Sequence, residues 1–160
     1  MTSLSDALER IYREYRQQLF TCALAVTRCP ERAEDAIHDA FCRLFRLDRR
    51  PRNLKVYVFR AVRNAAIDQL RRNPLPEHEQ SEFIFAPAEE PGETAAKNEF
   101  KRRAAEALLE LSDDERETIV QHLYADLTFR EIARLRGSPT GTVAAWYYRG
   151  LRKLRERLED

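Results

Sequence analysis

The chain has 160 residues, with 28 Lys or Arg against 27 Asp or Glu and a formal net charge of +1. This length is enough for one ordinary domain or two small ones that fold unaided. No apolar run approaches the ~20 residues of a membrane span, and the charged start MTSLSDALERIYREY lacks the apolar segment of a signal peptide. The composition therefore excludes a membrane-spanning chain and predicts a cytoplasmic protein.

Three helices are predicted in the first 72 residues. Apolar and aromatic side chains recur at helical spacing from Tyr12 to Val26, which predicts a first helix over residues 4–28. Pro30 suits the first turn of a second helix over residues 31–46. The third helix covers residues 57–72, YVFRAVRNAAIDQLRR.

The third helix sorts its side chains by polarity when it is wound at 100° per residue. Apolar and small residues take one half. The other half carries a basic and polar set, Arg60, Arg63, Asn64 and Arg71. Asp68 is the only acid, so these arginines lack the i,i+4 partners common on solvated faces. With Tyr57 for stacking and Asn64 for a base edge, the pattern predicts binding of a nucleic-acid strand with exposed bases. An ordinary arginine-rich surface is the alternative.

Strong blocks of opposite charge lie behind the near-neutral total. Residues 41–72 hold ten Lys or Arg against two acids, whereas residues 73–99 hold one Lys against seven Glu. A basic block favours a polyanionic partner, and an acidic block that contains prolines is typical of a solvated linker. We therefore predict an acidic flexible linker over residues 73–97.

A second set of helices follows the linker. One apolar stripe comprises Phe100, Ala104, Leu108 and Leu111, and the next helix has apolar positions at Ile119, Leu123 and Leu127. Ser112 with Glu115, and Thr128 with Glu131, have the S/T-x-x-E spacing of capping boxes that begin helices. The segment FREIARLRG predicts a short helix closed by Gly137, and Ser138 as N-cap with Pro139 behind it opens a longer one. A short helix, a tight turn and a longer helix are typical of a helix-turn-helix.

Residues that carry catalytic or metal chemistry are sparse. The cysteines are odd in number and lack CxxC spacing, which argues against a disulfide framework, and we expect small buried side chains at Cys22, Cys29 and Cys42. A zinc site built from Cys29, His38 and Cys42 lacks the spacing of a common zinc motif. The three histidines are scattered and form no catalytic set with a nucleophile. The sequence therefore predicts no catalytic residue, no metal and no cofactor.

Two separated segments resemble the two domains of an extracytoplasmic-function (ECF) bacterial sigma factor. The first comprises AEDAIHDAFCRLF and PRNLKVYVFRAVRNAAIDQLRR, and the second is LSDDERETIVQHLYADLTFREIARLRGSPTGTVAAWYYRGLRKLRERL. The resemblance implies an all-α protein of two small helical domains joined by an acidic flexible linker, with a helix-turn-helix in the C-terminal domain. The expected limits are residues 1–72, 73–97 and 98–160.

The resemblance also implies how the N-terminal domain acts. The helix over residues 31–46 is expected to dock on core RNA polymerase, through Asp35, His38, Asp39 and Arg43. The following helix is expected to recognise the -10 promoter element and to promote DNA melting. Asn64 matches the position that helps to hold a flipped base, whose unstacking costs a few kcal/mol. The expected -10 contacts are Arg52, Lys55, Tyr57, Arg60, Arg63, Asn64, Arg71 and Arg72.

The C-terminal domain is expected to read the -35 element. Basic residues on the last helix suit phosphates, which position a domain without specifying sequence, and two alanines can contact a thymine methyl group. Of the consecutive aromatics Trp146, Tyr147 and Tyr148, packing is the commoner role, with one of the three exposed on DNA. The expected -35 contacts are Thr140, Thr142, Ala144, Ala145, Tyr148, Arg149, Arg152 and Lys153.

Core RNA polymerase and promoter DNA are the partners that the resemblance implies, and the sequence leaves open whether an anti-sigma factor is a third. Two other functions stay open at this point. One is a helix-turn-helix regulator that binds DNA without polymerase. The other is a sigma-like protein-interaction module, which the few base-reading side chains of residues 142–148 allow.

Overall fold

The computed structural model describes residues 2–74 and 91–159, and these ranges contain seven α-helices and no strand. The helices are α1 (Leu4–Thr27), α2 (Pro30–Leu44), α3 (Leu54–Arg72), α4 (Ala95–Leu109), α5 (Asp113–Ile119), α6 (Phe129–Arg136) and α7 (Thr140–Glu159). A π-helical turn, Val120–Tyr124, directly follows α5. The prediction of an all-α fold is confirmed. None of these helices combines the length and apolar character of a membrane span.

Helices α1, α2 and α3 pack together as the N-terminal domain. The Ser3 hydroxyl caps α1 by accepting a hydrogen bond from the Asp6 amide at 3.1 Å, and the Asn53 side chain caps α3 in the same way. The apolar half of α3 is buried against the other two helices, as predicted. Its innermost members are Val58, Phe59, Val62, Ala65 and Ala66.

Local capping signals define the helices of the C-terminal domain. Both predicted capping boxes are present, with the Ser112 and Thr128 hydroxyls accepting from the amides of Glu115 and Glu131. Gly137 ends α6 in the left-handed conformation, at φ 64°. Helices α6 and α7 then form the predicted helix-turn-helix. Helix α7 begins at Thr140, one residue later than a cap at Ser138 predicts.

Three expectations about burial are wrong. Leu123 is 55% exposed because the π-helical turn adds a residue to the helical repeat and rotates Leu123 away from the core. Phe100 is 56% exposed, since the buried residues of α4 all lie in its second half. Cys42 is exposed, unlike buried Cys22 and half-buried Cys29, because it shares the solvent face of α2 with His38, whose Nε2 lies 3.7 Å from its sulfur.

The two domains pack directly against each other. Helix α3 contacts α6, and α1 contacts α5 and the π-helical turn. Leu127, Ile132 and Val143 belong to the same buried cluster as Leu19 and Val58 of the N-terminal domain. The two domains therefore share one apolar core across their boundary. The predicted linker lies mostly in residues 75–90, outside the described residues, and its last three residues are already in α4.

Candidate nucleic-acid interface

Helix α3 presents one continuous polar stripe to solvent. Tyr57, Arg60, Asn64 and Arg71 fall within an arc of about 60° at helical spacing, and all four are exposed. Arg52 and Arg72 are exposed at the two ends of the helix. Within the described part of the chain, no carboxylate pairs with Arg60, Arg71 or Arg72. The stripe therefore offers unneutralised cations beside an aromatic ring and an amide.

Two of the predicted -10 residues have intramolecular partners. The Lys55 ammonium lies over the Tyr15 ring, 4.9 Å from the ring centroid. Arg63 lies at the edge of the stripe and pairs with the Glu117 carboxylate of the C-terminal domain. Only 20% of the Arg63 side chain is exposed as a result. The structure thus brings Arg63 to the domain boundary, whereas the other arginines of α3 face solvent.

The predicted polymerase contacts lie together on the solvent face of α2. Asp35, His38, Asp39 and Arg43 are all exposed. Phe41 faces inward and meets the Tyr12 ring edge-on at a centroid distance of 5.2 Å, so it packs between α1 and α2. Beside this face, α1 and α2 enclose a groove of about 560 Å³. Its walls include Tyr12, Ile37, His38, Phe41 and Phe45.

The outer face of α7 carries the predicted -35 residues. Ala145, Tyr148 and Arg152 are exposed at helical spacing, and Tyr148 is the most exposed large apolar residue described, at 62%. Tyr147 points inward and forms an aromatic cluster with His122 and Phe129. Of the predicted set, Thr140 and Arg149 are also exposed, and Thr142 and Ala144 are half-buried. One ring of the aromatic triplet therefore faces outward, as expected.

Lys153 faces solvent and also makes a structural contact within the C-terminal domain. Its Nζ donates to both oxygens of buried Glu115, at 2.8 and 3.1 Å, and Arg149 Nε lies 4.0 Å from the same carboxylate. Burial raises the pKa of Glu115, but hydrogen bonds from Lys153 and Ser112 outweigh it and hold the pKa below its ordinary value. Glu115 therefore stays ionised as an anchor between α5 and α7.

A buried charge cluster at the domain boundary escaped the sequence analysis. Glu117 accepts from Arg63 and, at 3.1 Å, from Gln121, and its Oε2 lies 3.2 Å from Arg136 Nη2. Arg136 stacks on Trp146, with the guanidinium carbon 4.3 Å from the ring centroid, and also pairs with Asp114. Burial lowers the pKa of Arg136, although Glu117 acts in the opposite direction.

A sequence signal for this cluster does exist. Three consecutive charges at Glu115, Arg116 and Glu117 span about 200° of a helix, so they cannot all face solvent on a helix that is buried on most sides. All three are in fact buried. Arg116 donates to the Ala25 carbonyl of α1 at 3.4 Å, across the domain boundary. In the described ranges, no cluster of His, Cys, Asp and Glu has the arrangement of a metal site.

Comparison with known families identifies the class of protein to which this architecture belongs. The model of sigma-70 region 2 matches residues 11–74, and the model of sigma-70 region 4 matches residues 101–154. Together they cover most of the three helices of the N-terminal domain and most of the helix-turn-helix. The chain therefore belongs to the sigma-70 family of transcription initiation factors, and the two other functions considered above are not favoured.

Individual relatives narrow the assignment within the sigma-70 family to the ECF class. The ECF RNA polymerase sigma factor RpoE of Cereibacter sphaeroides is 26% identical over an alignment of 134 positions, which covers 82% of this chain and 73% of that protein. The ECF RNA polymerase sigma factor SigW of Bacillus subtilis is 25% identical over an alignment of 169 positions, which covers 97% of this chain and 90% of that protein. The chain is an ECF sigma factor.

A solved structure shares the fold along nearly the whole chain. It is the sigma factor RpoE of Bartonella quintana in complex with the anti-sigma factor NepR, with a TM-score of 0.73 and 22% identity. The match covers 96% of this chain and 97% of that one. The two chains therefore share the same fold.

Proposed function

We propose that this sigma factor binds core RNA polymerase through α2, reads the -35 element with α7, and holds unpaired bases of the -10 element against α3. In this division of labour residues 1–72 form the docking and -10 domain, residues 73–97 the connecting linker and residues 98–160 the -35 domain. The chain itself catalyses no reaction and takes no cofactor. Its role is to supply binding energy that favours the melted promoter.

The observation that carries the proposal is the exposed stripe on α3. Tyr57 offers a flat ring, Asn64 an amide, and Arg60 and Arg71 cations, all on one side of a helix whose other side is buried. A separated strand needs these three chemistries together, since its bases stack and pair while its phosphates need neutralising. Duplex DNA hides its base faces, so a stacking ring is of use to a strand that has already opened.

The outer face of α7 suits the duplex -35 element. Arg149 and Arg152 can reach phosphates, while Ala145 leaves room for a close approach of the helix to base edges. Tyr148 supplies an exposed ring on the same face. The side chains that specify bases are few on this face, so we expect -35 binding to depend strongly on backbone contacts.

Polymerase docking is assigned to the solvent face of α2. Asp35 and Asp39 lie one turn apart, with His38 and Arg43 on the same exposed face. The adjoining apolar groove, with half-exposed Tyr12 and Phe45 at its rim, adds area for a partner helix. A cytoplasmic location, where polymerase acts, is part of the proposal. An anti-sigma factor is a further expected partner, since a protein of the same fold has been solved with one.

Run-off transcription with core polymerase and a promoter library tests the proposal. We expect transcripts only when the chain is present, and an enriched consensus at both elements. Asn64→Ala is expected to alter the preferred -10 bases while leaving affinity for core polymerase within about twofold. An unchanged -10 consensus would remove Asn64 from base recognition, and transcripts independent of the chain would contradict the proposal as a whole.

A further inference from the structure

The first turns of α7 lack the side chains that read most bases. In a helix-turn-helix, the N-terminal residues of the second helix lie at the base edges of the major groove. There Arg or Lys reads guanine, Asn or Gln reads adenine, and Asp or Glu reads cytosine. Residues 140–148, TGTVAAWYY, contain none of these six residue types. Threonine hydroxyls bond to more than one base, so the specific contact that remains for this segment is an apolar one with the methyl group of thymine.

The structure shows which apolar side chains of this segment can reach the groove. Trp146 is half-buried and stacks on the guanidinium of Arg136, 4.3 Å from the ring centroid. Tyr147 is buried in the aromatic cluster with His122 and Phe129. Ala145 and Tyr148 lie on the outer face and are exposed. The apolar surface that α7 offers to base edges is therefore centred on these two side chains.

The surface beside Ala145 allows the helix backbone to come close to DNA. Gly141, one turn earlier on the same face, has no side chain, and nothing lies within 4 Å of the position that a Cβ would take. Ala144, half-buried at the flank, is equally short. An alanine methyl reaches a thymine methyl only if the backbone approaches closely, and the small residues around it permit that approach.

Tyr148 has a fixed ring that is still largely exposed. Its ring meets the Tyr147 ring edge-on at a centroid distance of 5.2 Å and the Phe129 ring edge-on at 6.1 Å. The residue nevertheless remains 62% exposed. Because the two neighbouring rings already hold it in place, a contact with DNA costs little side-chain freedom.

We propose that Ala145 and Tyr148 specify the -35 element by contacting the 5-methyl groups of two thymines. Residues three apart on a helix are neighbours at about 5–6 Å, and base pairs stack at about 3.4 Å, so the thymines lie one or two base pairs apart. Arg149 and Arg152, one turn further along, position the helix on phosphates. Sequence preference and affinity thus come from different parts of α7. This inference rests on the proposed role of α7 in reading the -35 element.

The test uses holoenzyme, assembled from core polymerase and the full chain, and the promoter that the library selection enriches. Each thymine of its -35 element is replaced in turn by deoxyuridine, which keeps every hydrogen-bonding group and lacks only the methyl. At two positions we expect a loss of affinity of about three- to fourfold, the scale of one buried methyl group. At the same positions, 5-methylcytosine should bind more tightly than cytosine by a similar factor. Deoxyuridine in the spacer between the two elements is the control and should leave the affinity unchanged.

Variants of the protein then assign each methyl contact. In Ala145→Gly the loss caused by deoxyuridine should disappear at one position and persist at the other, and Tyr148→Ala should show the reverse, so each variant controls for the other. Arg152→Ala is the matched control on the same exposed face. It should weaken binding to all sequences and keep both losses, because a phosphate contact carries no sequence information.

The outcomes separate this inference from the proposed function. If deoxyuridine is tolerated at every -35 thymine, or the enriched element has no thymine on either strand, methyl reading is wrong while α7 stays the -35 helix. Losses that persist in both Ala145→Gly and Tyr148→Ala overturn the inference as well, since other residues then contact the methyl groups. If no -35 element is enriched at all, the assignment of α7 fails and this inference fails with it. The nucleotide substitutions leave the protein unaltered, so their result does not depend on whether a variant folds.

Discussion

Lys153 on α7 donates hydrogen bonds to both carboxylate oxygens of Glu115, a buried residue at the start of α5. A lysine predicted to contact DNA phosphates is therefore also a link between the helix-turn-helix and the helix beneath it. The contact is half exposed on the Lys153 side, so its contribution is reduced by solvent screening.

We expect Lys153→Ala to lower the free energy of unfolding by about 1 kcal/mol, because the buried Glu115 carboxylate loses both hydrogen bonds from Lys153 and keeps Arg149, at 4.0 Å, as its remaining cationic neighbour. Arg152→Ala is the matched control, since Arg152 is the exposed neighbour and has no carboxylate partner among the described residues. It should cost less than about 0.5 kcal/mol. Urea unfolding followed by circular dichroism measures both, and equal losses would show that Lys153 is not a structural link.

The ionisation of Glu115 predicts a pH dependence of stability. The folded chain holds the pKa of this carboxyl below its ordinary value of 4.5, so the unfolded chain binds its proton first as the pH falls. The stabilisation is complete above pH 4.5 and is lost as the pH drops through the lower, folded pKa. Lys153 and Arg149 are the charged groups that face it.

Glu115→Gln isolates this contribution, because glutamine keeps the capping box. We expect its Tm to lie below that of the wild type at pH 7 and the gap to close as the pH falls below 4.5. Thermal unfolding at a series of pH values measures the gap. A difference that stays constant with pH would assign the effect to packing instead of charge.

Gly150 lies where α7 crosses α5. A Cβ there would lie 2.7 Å from Ile119 Cδ1 and 3.2 Å from Glu115 Cβ. Gly150→Ala gains up to ~1 kcal/mol of helix propensity but forces an overpacking that costs about 1–3 kcal/mol. We therefore expect a net loss of stability.

Gly141→Ala serves as the control for Gly150, because it lies in the same helix with nothing within 4 Å of its added Cβ. It should raise the free energy of unfolding by up to ~1 kcal/mol. Denaturant unfolding compares the two variants. A gain of stability in both would mean that Ile119 moves aside without cost.

Local signals account for the parts of the fold that the sequence predicts. The capping boxes at Ser112 and Thr128 and the turn at Gly137 depend on residues three or four apart, so they can be predicted without a structure. The sorted faces of α3 are equally local. Leu123 was misassigned because a π-helical turn changes the repeat on which periodicity depends.

The contacts across the domain boundary could not be predicted in this way. Arg63 and Glu117 are 54 residues apart, and no periodicity within either helix relates them. The same holds for Arg116 and the Ala25 carbonyl. The sequence therefore predicts which side of α3 is polar, whereas the structure is needed to see that one end of that polar arc faces the other domain.

Arg60 is the clearest test of the stripe on α3, because it is exposed and has no intramolecular partner in the described ranges. If Arg60 holds a phosphate of the -10 strand, that contact releases a counterion from the DNA on binding. Arg60→Ala abolishes this release. The slope of log affinity against log salt for open-complex formation should then flatten by about 0.7–0.9. Titration with polymerase holoenzyme between about 50 and 200 mM salt covers the range in which this electrostatic contribution changes most.

Arg10→Ala is the control for Arg60, since Arg10 is an exposed arginine near the start of α1, outside the proposed DNA contacts. It should leave the slope unchanged, because a general loss of one surface charge does not release a bound counterion. If the two variants flatten the slope equally, the effect reflects net charge and α3 holds no phosphate at Arg60. If only Arg60→Ala flattens the slope, the phosphate contact is local to the exposed stripe of α3.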